Sequence, residues 1–481
     1  MNRADAAEAL SGPLSLRRRA VPRPEAVPAQ RRRALRWLGA GAAATLAPMV
    51  LAQGTPAVLR FGWWGGAGRH EATLKAVRLF ERREAARGSS VRIKAEYMGF
   101  NGYLERLTTQ VAGRSEPDVM QINWAWLAMF SKRGTGFTDL APLLSPAVRE
   151  QIPEADLATG RIAGRLNALP VSYTARVLLW NQGTFDKLER PLPRSWDELF
   201  ALGPVFRRTL GEAAFPLDGE LYDMLLLAQA WVQQMHGTPF IAADSSAESA
   251  TDSSADSATK GPRVAMDEAA ALDWVRIYKR LVDEHVATPL PLRASLGGAE
   301  KPTEQQPDWV SGRWAGNYTW DSVIGLRAST LKGEHRLALG PFPMQPGARA
   351  SGIFGRPALM FAVGRHCRRP ELAARFVEFL LVDPEAARLL GRTRGLPVAR
   401  APLALLREAG QLPPLELAAH AQIALQREAG RIPLPAPLFE HPRLHKFMRE
   451  VFETVAYGKT SAADAARRLR VDGQALLQRL K

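Results

Sequence analysis

Cysteine is almost absent: Cys367 is the one cysteine in 481 residues. A disulfide framework within the chain, an all-cysteine zinc site and a CxxC redox pair are therefore excluded. The eight histidines are scattered without metal-ligand spacing. HExxH, P-loop, G-x-S-x-G and dinucleotide fingerprints are all missing. His366 and Cys367 are neighbours whose side chains diverge in either a strand or a helix, so Cys367 reads as a packed thiol rather than a nucleophile. Asp197/Glu198 and Glu81/Glu84 read as helix charge or caps, and no pair is marked as the two carboxylates a glycosidase sets across its cleft. No lysine/arginine block after residue 52 reads as a nucleic-acid track. No apolar run reaches the roughly 20 residues of a spanning helix. These absences point away from an enzyme and call for no cofactor and no metal.

The composition is that of a soluble globular protein, 46% hydrophobic and 23% charged. At roughly 100–200 residues per domain, the length fits two to four lobes. The net charge of +16 is partly a leader effect. Residues 1–52 hold nine arginines against Asp5, Glu8 and Glu25; the rest carries 55 basic and 45 acidic residues, or +10. Arg31-Arg32-Arg33-Ala34-Leu35-Arg36 precedes an alanine-rich apolar stretch from Trp37 to Ala52, broken by Pro48. A basic region, a short apolar region and a small-residue end describe an export signal. Arg32, Arg33 and Leu35 resemble a twin-arginine signal. Val50-Leu51-Ala52 fits a cleavage site, which makes Gln53 the mature start and the periplasm the destination. An uncleaved anchor helix is the rival reading, and the lack of a nearby cysteine excludes a lipid anchor.

Along the mature chain, Val58 to Trp63 reads as a strand, His70 to Ala86 as a helix and Val91 to Tyr97 as a strand. Asn101 to Ala112 follows as a helix and Asp118 to Ile122 as a strand. This alternation predicts an α/β fold with an open, mostly parallel sheet, whose ligands bind beyond the carboxyl ends of its strands. Ala175 to Trp180 is a further strand. Ser195 and Glu198 form a capping box at a helix start. Leu221 to Met235 and Met266 to Val286 read as helices. Ala242 to Thr259 between them is rich in Ser, Ala, Asp and Thr and reads as a low-complexity insertion, with a domain boundary as the rival. Ala358 to Val363 reads as a strand, and the chain from Pro370 onward is largely helical. There is no long internal repeat.

Aromatic residues gather at predicted loop ends: Trp63 and Trp64, Trp124 and Trp126, Tyr318 and Trp320. Aromatic faces pack on the C–H faces of sugars, while an indole N–H or phenol O–H offers a polar handle. Arg69 and Arg176 lie close to these elements, and an arginine can hold a carboxylate bidentately. Packing is the competing role for each tryptophan, and an ordinary salt bridge for each arginine. The candidate ligand-binding set is Trp63, Trp64, Gly65, Arg69, Asn123, Trp124, Trp126, Tyr173, Arg176, Tyr318, Trp320 and Arg356.

Leu59 to Gly66, Gly99 to Tyr103, Glu116 to Gln121, the Pro193 to Leu199 run and Thr460 to Ala465 resemble the sugar-type extracellular solute-binding proteins, receptors of ABC importers. The resemblance runs from about residue 57 to the end. Trp63 to His70 and Asn123 to Phe137 are similar to the oligogalacturonide-binding members. This implies a two-lobe periplasmic-binding-protein fold of type II, with discontinuous lobes joined by hinge strands. The N-terminal lobe is expected at 57–165 and 315–365, the C-terminal lobe at 166–314 and 366–481. It also implies a monomer with an oligosaccharide ligand, an inner-membrane ABC permease as partner, and no nucleic acid. If the ligand is a uronide, Arg69, Arg176 or Arg356 would pair its carboxylates. A neutral sugar or a sugar phosphate is the alternative ligand, and an exported carbohydrate-active enzyme the alternative class.

Overall fold

The computed structural model describes residues 55–242, 262–298 and 301–480. The expected leader at 1–52, and residues 243–259 of the expected insertion, lie outside them. That segment is flanked by a two-residue ladder pairing Ile241 and Ala242 with Val264 and Arg263.

The predicted β-loop-α-β unit is present. β1 (Ala57–Trp64), α1 (Ala67–Ala86) and β2 (Val91–Met98) form it, with Ala57 opposite Val91 and Trp64 opposite Met98 in parallel register. After α2 (Tyr103–Ala112), β3 (Val119–Asn123) adds to the other side of β1, again parallel, and runs straight into α3 (Trp124–Phe130). The sheet then changes character. A long strand, β4 (Ala168–Asn181), pairs antiparallel with β5 (Gly316–Trp320), with β6 (Leu337–Leu339) and with β7 (Gly355–Val363). β7 in turn pairs antiparallel with β3. The seven-stranded sheet has the order β6-β4-β7-β3-β1-β2, with β5 also on β4. The sheet is therefore mixed, not mostly parallel. Local β-α-β patterning reveals only parallel crossovers; β4 and β7 reach their partners from far away in sequence and run against them.

β4 is shared between two cores. Its first half (Ala168 to Ala175) pairs with β7, and its second half (Arg176 to Asn181) with β5 and β6. At roughly 3.3 Å per residue it spans about 45 Å. The first lobe packs α1, the helices Pro370–Val382 and Pro384–Leu390, and strands around Leu59, Phe61, Trp63, Val77, Phe80 and Phe376 on one sheet face. On the other face lie Trp64, Tyr103, Leu107, Ile122, Trp124 and Trp126. The second lobe closes around Trp180, Trp196, Leu225, Trp274, Tyr318, Phe452 and Leu469.

The packing corrects the expected lobe boundaries. Ala315, Tyr318, Phe342 and Phe354 belong to the second-lobe core, because β5 pairs with the far half of β4. Leu372 to Leu390 and Ala399 belong to the first-lobe core, where the helices Pro370–Val382 and Pro384–Leu390 cover the same face as α1. Amphipathic spacing shows that a helix has an apolar face, not which sheet will receive it. At Trp196–Leu210, Ser195 Oγ accepts from the Glu198 N–H at 3.2 Å as the capping box requires, while the Glu198 carboxylate accepts from the Arg194 N–H at 2.6 Å instead of the Ser195 N–H.

Candidate binding cleft

Successive residues of a strand point to opposite faces. Trp63 and Trp64 end β1, so they part company. Trp63 turns into the α1 face, fully buried, 4.8 Å from the Phe61 ring, its Nε1 donating to His70 Nδ1 at 3.1 Å. Trp64 turns to the other face, where Tyr103 at 4.9 Å, Trp126 at 5.1 Å and Phe100 at 5.8 Å back its ring. The far side of Trp64 lines a cavity of about 780 Å³. This cavity lies beyond the carboxyl end of β1, between the lobes. The first lobe contributes Trp64, Arg69 and the turn Arg392 to Leu396; the second contributes Asp321, Ser322, Leu326 and Glu416. Ser172, Tyr173 and Thr174 of β4 form its floor, joined by Ala358 and Leu359 of β7.

Of the sequence-predicted set, Trp64, Arg69 and Tyr173 line this cavity. Gly65 stands next to it and makes room: a Cβ there would lie 2.5 Å from Arg69 Cδ and 2.9 Å from Arg69 Cβ. Trp126 acts from behind, tilted against Trp64 and stacked on Tyr103. Trp63, Trp124 and Tyr318 do not reach the cavity; each is buried, and Trp124 Nε1 donates to the Thr159 carbonyl at 3.1 Å. Asn123 caps α3 by accepting from the Ala125 N–H at 3.1 Å.

Two of the three arginines expected to pair the carboxylates of a uronide are already matched. Arg176 is ion-paired with Asp223 and Arg356 with Glu440. Their guanidiniums lie over the half-buried Trp320 ring, 4.5 and 4.8 Å from its centroid. Burial opposes the Arg176 charge, and Asp223 more than restores it. This cluster braces the crossing strands.

The opposite holds on the first-lobe wall. Arg69 donates only to backbone: Nε to the Thr393 carbonyl at 2.7 Å and Nη1 to the Trp64 carbonyl at 2.9 Å. Burial lowers its pKa. Arg394 is 5% exposed and donates through Nε to Gln121 Oε1 at 2.8 Å, while Nη1 and Nη2 have no hydrogen-bond partner. Burial, and then the Arg69 charge, push the Arg394 guanidinium down to about 9. Among the described residues, neither arginine has an acidic partner. Arg394 escaped the sequence reading. The only local sign is two arginines within Arg392-Thr393-Arg394-Gly395-Leu396-Pro397, a turn without an acid, and that turn lies more than 250 residues from the other first-lobe cleft residues.

The second-lobe wall is acidic. The Asp321 carboxylate accepts from the Thr174 hydroxyl and from the Ala175 N–H at 3.2 Å. Burial pushes this carboxyl up to about 6. Glu416 is ion-paired with Arg392 across the cleft. A second cavity of about 340 Å³, by Arg114, Glu116, Arg365 and His366, sits at the opposite, amino-terminal end of β3 and shares nothing with this one. There His366 Nδ1 lies 2.7 Å from Glu116, while Cys367 packs against the first-lobe core and burial pushes its thiol up to about 12. A thiol held that high is no nucleophile at neutral pH. Among the described residues, no group of three or more His, Cys, Asp or Glu could hold a metal, and no helix is long and apolar enough to cross a membrane.

Residues 83–387 match the family model of the bacterial extracellular solute-binding proteins. The chain belongs to this family. An oligogalacturonide-binding periplasmic protein of Yersinia enterocolitica is 32% identical with a TM-score of 0.75, covering 88% of this chain and 99% of its own. The same protein in complex with saturated digalacturonic acid superposes with a TM-score of 0.74. A periplasmic solute-binding protein of Pectobacterium atrosepticum is also 32% identical, with a TM-score of 0.76 over 88% of this chain and 99% of that one. A designed cysteine esterase shares the scaffold at 32% identity and a TM-score of 0.77. A binding protein of Brucella abortus is 22% identical over 209 residues, so the match spans about half of that relative, 46% of its length. The fold is thus the two-lobe α/β fold of periplasmic solute-binding proteins, and the cavity lies in its interlobe cleft.

Proposed function

We propose that the protein, exported and cleaved near Ala52, is the monomeric periplasmic receptor of a carbohydrate ABC importer, and that it binds acidic oligosaccharides of the oligogalacturonide type without transforming them. The observation that carries this reading is the interlobe cavity itself: an aromatic platform at Trp64, polar groups on the floor and unpaired guanidiniums on one wall. A sugar ring would lie on Trp64, its hydroxyls meeting Asp321, Thr174 and backbone groups. Closure of the lobes about β4 and β7 would bury it and present the closed receptor to the permease. One similar protein, matched over nearly its whole length and solved also with saturated digalacturonic acid bound, supports the ligand class.

The test is calorimetric titration of the chain from Gln53 with digalacturonate, trigalacturonate, maltotriose and xylotriose. Binding of the uronides alone is expected. Binding of a neutral sugar alone would keep the receptor and discard the acidic ligand. Turnover heat, with a product detectable by chromatography, would overturn the receptor in favour of an enzyme.

A further inference from the structure

The cleft contains three buried polar atoms without a partner, on two neighbouring residues of its lining: Arg394 Nη1, Arg394 Nη2 and Ser172 Oγ. Such atoms are rare in folded proteins, because a buried donor that gives up water without replacement costs free energy, and a buried charge costs more. Arg394 is the extreme case. Its Cζ lies 5.5 Å from the centroid of the Phe361 ring, a cation–π contact that supplies no acceptor.

The group is also held still. Gln121 is buried and works in both directions: its Oε1 accepts from Arg394 Nε at 2.8 Å, and its Nε2 donates to the Trp64 carbonyl at 3.3 Å. Tyr103 Oη, packed against the Trp64 ring, donates to the Gln121 carbonyl at 3.0 Å. Arg69 adds a second tie, bridging the carbonyls of Trp64 and Thr393. On the far side, Gly395 has a φ of +86° and approaches Ser172 closely enough that a Cβ would lie 3.1 Å from its Oγ. The guanidinium fork and the aromatic platform are therefore wired to one stretch of backbone, and Arg394 is part of the cleft lining.

A planar fork with two free N–H groups matches an oxyanion held bidentately, a carboxylate or a phosphate, and in the acidic sugar proposed above that group is the ring carboxylate. We infer that Arg394 is the carboxylate-selecting residue of the cleft, gripping the carboxylate of the uronate ring that stacks on Trp64, with Gln121 and Arg69 as positioning residues and Ser172 Oγ as a nearby hydroxyl donor. This rests on the receptor reading and assigns its acid specificity to the side of the cleft opposite Arg176 and Arg356.

The experiment compares digalacturonate with its dimethyl ester, the same disaccharide without charge, by calorimetry on the wild-type chain from Gln53 and on R394Q. A charged hydrogen-bonded pair of this kind is expected to make wild type prefer the acid by at least about ten-fold. R394Q should lose that preference and bind acid and ester alike. Its ligand-free melting temperature should stay level or rise, since the substitution removes an unmatched buried charge, an effect that a purely structural arginine would reverse. Equal binding of acid and ester by wild type would overturn the carboxylate site while leaving the receptor. Retained acid preference in R394Q would do the same. Binding of neither compound by wild type, with binding of maltotriose, would overturn the uronide reading itself and this site with it. The wild-type comparison needs no variant to fold.

Discussion

Trp63 and Trp64 show how much depends on which way one side chain points. Both belong to a visible aromatic motif, and neither composition nor spacing says which one meets a ligand. The strand alternation decides it, and it becomes readable only once the end of β1 is known. Trp63→Ala should cost about 3–5 kcal/mol in denaturant unfolding, as for other buried tryptophans, with ligand affinity unchanged. Trp64→Ala should abolish detectable binding in calorimetry, with a smaller loss of stability. Gly65→Ala should act on Arg69, because the added methyl would collide with its Cβ and Cδ. A fall in uronide affinity with an unchanged melting temperature is the expected result. Asp321 gives a signed pH effect. Its carboxyl is raised to about 6 by burial, above the ordinary value near ~4 for an aspartate. The folded protein keeps a proton there that the unfolded chain releases, so this group's contribution is full below about pH 4 and lost as pH rises through about 6. D321N can still accept from Thr174 and Ala175. Its stability relative to wild type should climb between those pH values and level off above them, as read by thermal melts across a pH series.

Among the elements, β4 and the helix Pro414–Glu428 carry the interlobe geometry. The second half of β4 was legible as Ala175 to Trp180, an almost unbroken apolar run. Its first half, Ala168 to Thr174, pairs with a strand almost two hundred residues later, and no local pattern announces such a partner. The helix Pro414–Glu428 was legible from its amphipathic spacing, but its role was not. Ala419 and Ile423 anchor it in the second-lobe core, while Arg427 reaches Asp156 at 2.5 Å and Glu416 reaches Arg392, both in the first lobe. Arg427 also lies over the Tyr173 ring at 3.8 Å. It holds the lobes together before any ligand arrives. Arg427→Ala should therefore shift the ligand-free protein toward an open form, visible as a larger radius of gyration in solution scattering, with saturating ligand restoring the closed value. An unchanged radius would show that this contact does not latch the lobes.

For the whole molecule, the resemblance carried the fold class and the cleft from about residue 57 to the end of the chain. The bottom-up pattern alone stopped at an α/β sheet read as mostly parallel. The exchange of 315–354 and 370–399 between lobes has the same origin as that error: lobe membership follows from long-range strand pairing, and periodicity is local. The cleft was legible as a place, at the carboxyl ends of β1 and β3, and as an aromatic wall. Its charge was not, because Arg394 joins Arg69 and Trp64 only through the fold. The balance of +10 after residue 52 has a kinetic consequence. Association of digalacturonate in stopped-flow should slow as salt rises, while dissociation changes little, since long-range steering is screened beyond about 8 Å at physiological ionic strength.

The division of the first-lobe core between residues near Leu59 and residues as late as Ala399 matters to the ribosome. The strands β1, β2 and β3 emerge early, yet the helices Pro370–Val382 and Pro384–Leu390, which share a sheet face with α1, follow only after most of the chain, so for most of synthesis that face is only partly covered. Domains whose chain is continuous can fold as they appear; here an early segment must wait for one more than two hundred and fifty residues later. Nascent chains arrested before Pro370 should leave β1 open to protease, and those released after Ala399 should not.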